Sequence, residues 1–316
     1  MIRKPAVAGL FYDSNPDKLR RDIEHCFNHK LGPGKIPKLG SYEKNRIFGA
    51  VVPHAGYSCS GPVAANAYYE IAKNGFPKTF VILCPNHTGL GTGISVFTEG
   101  NWETPLGKVK IDEEFAKQIM INSQLIDSDS SAHIKEHSCE VHLPFLQYFS
   151  DDFEIVPIVM WMQDMESATD VANAIVTTSK ELNKPISIIA STDLTHYENQ
   201  ESAQKKDALI LDAIANMDEF ALVDAVENNN ITMCGYGPTI ATIKSSRDLG
   251  SKKGKILKYA TSGDTCGDSD SVVGYCSAIF EWLINLYLIN HVLWKFIGCI
   301  NLKLYNVLWK FILVLT

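Results

Sequence analysis

Three β-prone apolar runs in this chain end directly in side chains able to bind a metal: Val51-Val52-Pro53-His54, Val81-Ile82-Leu83-Cys84-Pro85-Asn86-His87 and Ile188-Ile189-Ala190-Ser191-Thr192-Asp193-Leu194-Thr195-His196. Neutral imidazole is the commonest side-chain ligand for iron, copper, zinc and nickel, and two imidazoles on neighbouring loops supply part of an open coordination sphere. His54 and His87 fit that description, each following a proline that stiffens the turn, while Gly56 permits a tight bend beyond His54. Taken singly, either histidine is served as well by a bond to a loop carbonyl; the recurrence points to a shared site.

Asp193 and His196 stand at i and i+3, which turns them the same way if a helical turn begins there. Such a pair can work as acid and base, the carboxylate orienting an imidazole that moves a substrate proton; a capping aspartate beside an exposed histidine is the plainer alternative. Cys234 lies in Met233-Cys234-Gly235-Tyr236-Gly237-Pro238, a glycine-rich turn leading into a helical Thr239 to Ser246. A thiolate at a helix N-terminus has a lowered pKa and is a better ligand or nucleophile, whereas most free cysteines are buried small hydrophobes.

Two further motifs compete. His133-Ile134-Lys135-Glu136-His137 matches the inverted zinc-peptidase pattern, in which two histidines on one helical face bind zinc and the glutamate acts as base. Loop-like Ser128 to Ser131 before it and Pro144 after it leave little room for a long helix, so the segment reads as a polar stretch feeding the same crevice. Gly89-Leu90-Gly91-Thr92-Gly93 lacks the dinucleotide spacing and precedes a strand instead of opening a helix.

These residues need a scaffold that brings strand ends together. Helical periodicity covers Pro16 to His29, Pro62 to Lys73, Asp112 to Ile121, Glu166 to Leu182, Ala203 to Asn216 and Met217 to Glu227. Strand-like runs fall at Phe48 to Val52, Thr79 to Leu83, Ile94 to Phe97, Glu154 to Met160, Pro185 to Ala190, Ile256 to Thr261 and Val272 to Phe280, several apolar on both faces as a covered sheet requires. The alternation predicts a three-layer α/β domain with a mostly parallel or mixed central sheet and helices on both faces. In such sheets ligands bind outside the carboxyl ends of the strands, where His54, His87, Asp193 and His196 would converge.

The chain has 316 residues, 46% of them hydrophobic, enough for a full core. A formal charge of -7 and no Lys/Arg run interleaved with aromatics argue against nucleic-acid binding. Eight cysteines without CxxC pairs predict reduced thiols in a cytoplasmic protein, and the basic N-terminus lacks an apolar signal region. One domain is expected to about residue 280. From 281 to 316 follows a hydrophobic extension that after Glu281 has Lys295, Lys303 and Lys310 as its fixed charges, with a near-repeat, Val-Leu-Trp-Lys-Phe-Ile, at 292–297 and 307–312. Its polar interruptions argue against a single membrane span; it reads either as an interfacial anchor making membrane contact or a partner-binding helix, or as an accidental read-through extension.

Taken together, eight motifs in order resemble the Memo family, relatives of the extradiol ring-cleaving dioxygenases: Arg3 to Tyr12, Pro53 to Tyr57, Pro85 to His87, Trp102 to Gly107, Glu136 to Pro144, Ser191 to Tyr197, Met233 to Gly235 and Tyr259 to Asp264. The resemblance implies the fold of that superfamily and a metal held by His54, His87 and Cys234. Asp193 and His196 would line the pocket as proton-handling residues, with His142 close by as a further catalytic candidate. In the related enzymes two histidines and a carboxylate hold Fe(II); here Cys234 stands in the carboxylate's place, and a soft thiolate favours copper, zinc or a retuned iron. Ring cleavage is therefore not inherited from the fold.

The chain departs from the family at two points: Cys84 stands where the family usually has glycine, either packed at a strand end or held as a spare redox thiol, and the tail after Phe280 has no family counterpart. The leading expectation is a cytoplasmic metalloprotein with a mononuclear iron or copper site, zinc ranking lower, and O₂-linked redox chemistry of a metal-dependent oxidoreductase. The alternatives are a module that binds a peptide or protein partner, including a radical-SAM pathway partner, and a zinc hydrolase working through His133 and His137.

Overall fold

A computed structural model describes residues 1–42 and 47–282, and the extension from 283 onward lies outside the described residues. In chain order the strands are β1 (Ile2–Arg3), β2 (Ile47–Val52), β3 (Thr79–Pro85), β4 (Ile94–Val96), β5 (Asn101–Thr104), β6 (Gly107–Ile111), β7 (Ile126–Ser128), β8 (Glu154–Met160), β9 (Ile186–Ser191), β10 (His196–Glu198), β11 (Lys253–Thr261) and β12 (Val272–Glu281). The helices are α1 (Pro16–Asn28), α2 (Gly61–Asn74), α3 (Glu113–Ile121), α4 (Ser131–Ile134), α5 (Leu143–Gln147), α6 (Met165–Glu181), α7 (Gln200–Asn216), α8 (Glu219–Asn228), α9 (Tyr236–Leu249) and α10 (Ser262–Thr265), with a 3₁₀ turn at Glu140–His142.

The sheet is mixed. Its centre, β8-β3-β9-β2, is parallel throughout, and β12 closes it antiparallel on β2, with β11 antiparallel on β12. Every residue of β2, β3 and β9 is buried, the consequence of valine and isoleucine on both faces of strands covered on both sides. α2 packs on α1 and α5; α9 packs on α6 and α8, and α3 on α6. The two groups cover opposite faces, giving the expected three layers.

Capping residues set helix starts that periodicity alone placed late. Asn199 caps α7 through its bond from the Ser202 amide, so the helix begins at Gln200 instead of Ala203. Met217, expected to open the next helix, takes a left-handed φ of 54° that ends α7 and separates it from α8. The short strands β1, β5, β6, β7 and β10 went unread because two to five residues carry too little periodicity.

The cysteines correct the expectation of reduced thiols. Cys59 is joined to Cys266 and Cys84 to Cys139, so Cys84 is neither a spare thiol nor simple packing, while Cys26, Cys234 and Cys276 are free. Among the described residues no helix is long and apolar enough to cross a membrane.

Candidate metal centre

The parallel register decides which loops meet. Val52 pairs with Ser191 and Leu83 with Ala190, so the chain leaves β2, β3 and β9 at one level and delivers His54, His87 and Asp193 to one end of the sheet. A fourth contributor comes from the loop after α4. Arg3 braces that loop: its Nε donates to the His133 carbonyl at 3.0 Å, its Nη2 to the Glu136 carbonyl at 2.6 Å, and its Nη1 pairs with buried Glu140. Glu140 also accepts from the Ala6 amide at 2.7 Å, the Val7 amide at 3.1 Å and the Tyr12 hydroxyl. The N-terminal motif thus holds the loop in place.

One ligand atom each from His54, His87 and His137 lies within 4.8 Å of the others. The ring centroids are 5.1 Å apart for His54 and His87, 5.5 Å for His54 and His137, and 4.6 Å for His87 and His137. Cys234 Sγ is 3.3 Å from His54 Nε2, and Asp193 Oδ2 is 4.0 Å from the same nitrogen. Asp193 joins the elements further: its Oδ1 accepts from the His54 amide at 2.9 Å and its own amide donates to Cys234 Sγ at 3.2 Å. His54 is buried, whereas the His87 side chain is 33% exposed, so the cluster opens to solvent on the His87 side.

The hydrogen bonds fix the tautomers. Ser191 Oγ gives its single proton to the Ser138 carbonyl at 2.7 Å, so it must accept from His54 Nδ1 at 2.6 Å and from His142 Nε2 at 2.8 Å. The Glu136 carboxylate likewise accepts from His87 Nδ1 at 2.9 Å. Both ligand candidates therefore carry a proton on Nδ1, and in His54, which burial keeps neutral, that leaves Nε2 bare. Metal-binding histidines are commonly fixed this way, by a partner on the other ring nitrogen.

Burial, reinforced by the neighbouring His87, His137, His142 and His196, holds His54 well below its ordinary pKa. Burial also takes His137 down to about 4, against the opposing charge of Glu136. Both are neutral at physiological pH, the form that binds metals. Burial works to raise Glu136, but the His87 hydrogen bond and charge, with the Ser138 amide and His137, outweigh it and bring it to about 2. Asp193 is pushed up to about 6 by burial, against the His54 amide bond and the charge of His196.

Cys234 differs from its expectation. It does precede α9 closely, yet burial and then the Asp193 charge raise its thiol instead of lowering it. A coordinated cation reverses that balance, since metal-bound thiols lose their proton.

The remaining site residues divide. Asp193 and His196 share no helical turn, because His196 opens β10; its amide donates to Thr232 Oγ1 at 2.7 Å and its Nδ1 to the Thr232 carbonyl at 2.8 Å. His142 lies behind the cluster, its Nδ1 accepting from the Tyr68 hydroxyl at 2.6 Å while its Nε2 donates to Ser191. His133 packs against Phe97 and Trp102, and α4 ends at Ile134, so His133 and His137 do not share a helical face. The zinc-peptidase geometry is absent there. His137 instead joins His54 and His87, a role the sequence reading missed although it placed this polar segment at the crevice.

The Memo-like protein family matches residues 3–279. A MEMO1 family protein of Methanothermobacter thermautotrophicus is 54% identical over 275 residues, covering 87% of this chain and 99% of the relative. A MEMO1 family protein of Methanobrevibacter smithii is 51% identical over 282 residues, covering 89% of this chain and 100% of the relative. The crystal structure of an uncharacterized protein from Escherichia coli K12 shares the fold at a TM-score of 0.51 and 12% identity, covering 74% of this chain and 100% of that one. The chain belongs to the Memo-like protein family.

Proposed function

We propose that this chain binds a single iron or copper ion through the Nε2 atoms of His54 and His87, with His137 and the Cys234 thiolate as the neighbouring donors. The observation that carries the reading is the pair of Nδ1-protonated histidines, each fixed by a buried acceptor, Ser191 or Glu136, inside a cluster of three imidazoles. Imidazole suits iron, copper and zinc alike, and one thiolate softens the set toward copper or a retuned iron. A bound iron or copper supplies redox chemistry with O₂.

The chain's own residues handle protons around it. Asp193 is buried beside His54 and Cys234, and burial raises its pKa above the ordinary carboxyl range, which suits it to hold a proton next to the site. His196 donates Nδ1–H to the Thr232 carbonyl, which leaves its Nε2 free to accept a proton. Anaerobic purification followed by metal analysis tests the proposal. Stoichiometric iron or copper in the wild type and in His133→Ala, with loss in His54→Ala, His137→Ala and Cys234→Ser, supports it; retention in His54→Ala overturns it.

A second reading, a module that docks a peptide or protein partner, is favoured by Trp161 and Tyr197, exposed on the segments that follow β8 and β9 at the same end of the sheet. Absence of metal from every sample would promote it.

A further inference from the structure

Each imidazole of the cluster lies near a cystine in sequence: Cys59 follows His54, Cys84 precedes His87 and Cys139 follows His137. The two cystines differ in what they join. Cys59–Cys266 ties the start of α2 to the segment after α10, and His54 is fixed independently by Ser191 and Asp193. Cys84–Cys139 joins two segments that each carry a candidate ligand.

We propose that the Cys84–Cys139 cystine is a redox-responsive positioning cross-link for the metal centre: oxidised, it holds the His87 and His137 segments in binding register, and its reduction weakens metal binding. The inference rests on the metal-binding reading above.

Cys84 is rigidly placed, because it lies in β3 opposite Val159 of β8. Cys139 ends a stretch, Lys135 to Cys139, that belongs to no helix or strand and so has no ladder of its own. The cystine fastens that stretch to the sheet, with Cα atoms 5.6 Å apart, an ordinary spacing for the bond. Two weaker ties run alongside: Ser138 Oγ donates to the Pro85 carbonyl at 3.1 Å, and Glu136 accepts from the His87 amide at 2.6 Å as well as from its ring. Because these survive reduction, the expected effect is graded weakening and not loss.

The chemistry is thiol–disulfide exchange with a dithiol. Two electrons and two protons pass to the cystine, the S–S bond breaks to give the Cys84 and Cys139 thiols, and the dithiol is oxidised to its own disulfide. Both sulfurs are fully buried, so exchange requires the segments to part first. Linkage then demands reciprocity: whatever factor the cystine adds to metal affinity, bound metal must return as protection of the cystine against reduction.

The test uses the full chain in a Cys59→Ala/Cys266→Ala background, which leaves Cys84–Cys139 as the one cystine among the described residues. Affinity for Fe(II), with Co(II) as spectroscopic probe, is measured under argon before and after reduction by dithiothreitol and its removal, with mass spectrometry reporting the state of Cys84 and Cys139. A separate Cys84→Ala/Cys139→Ala chain is measured beside it, with circular dichroism as the fold check. The expected result is affinity weaker by about tenfold to a hundredfold in both, and slower reduction when metal is present. Should the double variant fail to fold, the reduced chain decides. Affinity unchanged within twofold, or native protein isolated with Cys84 and Cys139 as thiols, overturns the cross-link while the metal centre stands. An oxidised chain that binds neither ion removes both.

Discussion

The Ser191 hydroxyl determines which nitrogen of His54 is left bare. Its proton goes to the Ser138 carbonyl at 2.7 Å, so the His54 ring must donate to it from Nδ1 at 2.6 Å. Ser191→Ala removes that acceptor and also strands the buried His142 Nε2. Loss of buried partners costs about 1–3 kcal/mol, and loss of a group that orients a metal ligand typically costs about 10–100-fold in affinity. Metal titration of Ser191→Ala beside wild type reads the second effect; equal affinities would show that the tautomer is fixed by something else.

Arg3 and Glu140 are both buried, and each is satisfied almost entirely by the other and by the backbone around them. Arg3 also lies over the Trp102 ring at 4.4 Å from its centroid. Arg3→Ala leaves the Glu140 carboxylate buried without its counter-charge and frees the segment that carries His137. Breaking such a pair costs about 3–5 kcal/mol, which for a domain of this size corresponds to a melting temperature lower by about 10 °C. Thermal unfolding followed by circular dichroism checks this, and a drop of under 2 °C would mean the brace is energetically idle.

Much of this arrangement was legible in the sequence, for identifiable reasons. Long apolar runs such as Val81 to Leu83 and Ile188 to Ala190 are both hydrophobic and β-prone, so the strands and the histidines that follow them could be placed together. Cys234 reached the site through resemblance, not periodicity, and the structure sets it against His54. His137 was harder, because its segment has no regular structure and is positioned by Arg3, a residue 134 positions away (137 − 3). The cystines were illegible for the same reason: Cys84 and Cys139 are separated by 55 residues, and no local pattern announces a pair made by the fold.

Gly235 separates Cys234 from α9, and the fold leaves it no room for a side chain. A Cβ there would stand 2.3 Å from the Ser191 carbonyl oxygen and 2.7 Å from Thr192 Cβ. Gly235→Ala must therefore push the Cys234 turn away from β9, at a cost of about 1–3 kcal/mol. The expected outcome is a less stable protein whose metal binding falls with the displaced thiol, while Gly89→Ala, where nothing lies within 4 Å but φ is +67°, costs stability alone. Paired urea unfolding and metal titrations separate the two, and equal metal affinity in both variants would remove Cys234 from the donors.

His133 should make the protein sensitive to acid. It is fully buried between Phe97 and Trp102, neither ring nitrogen forms a hydrogen bond of ordinary geometry, and burial followed by the Arg3 charge takes its pKa from 6.5 down to about 3. Between those values the unfolded chain binds a proton that the folded chain refuses. Stability from this group is therefore complete above the unfolded pKa of 6.5 and falls as the pH drops toward 3. His133→Leu keeps the volume and removes the titration, so the slope of unfolding free energy against pH should flatten by about 1.4 kcal/mol per pH unit inside the window. Urea unfolding at a series of pH values across the window from about 7 to about 4 measures both slopes. Identical slopes would mean that another buried group, His142 being the first to examine, carries the acid sensitivity instead.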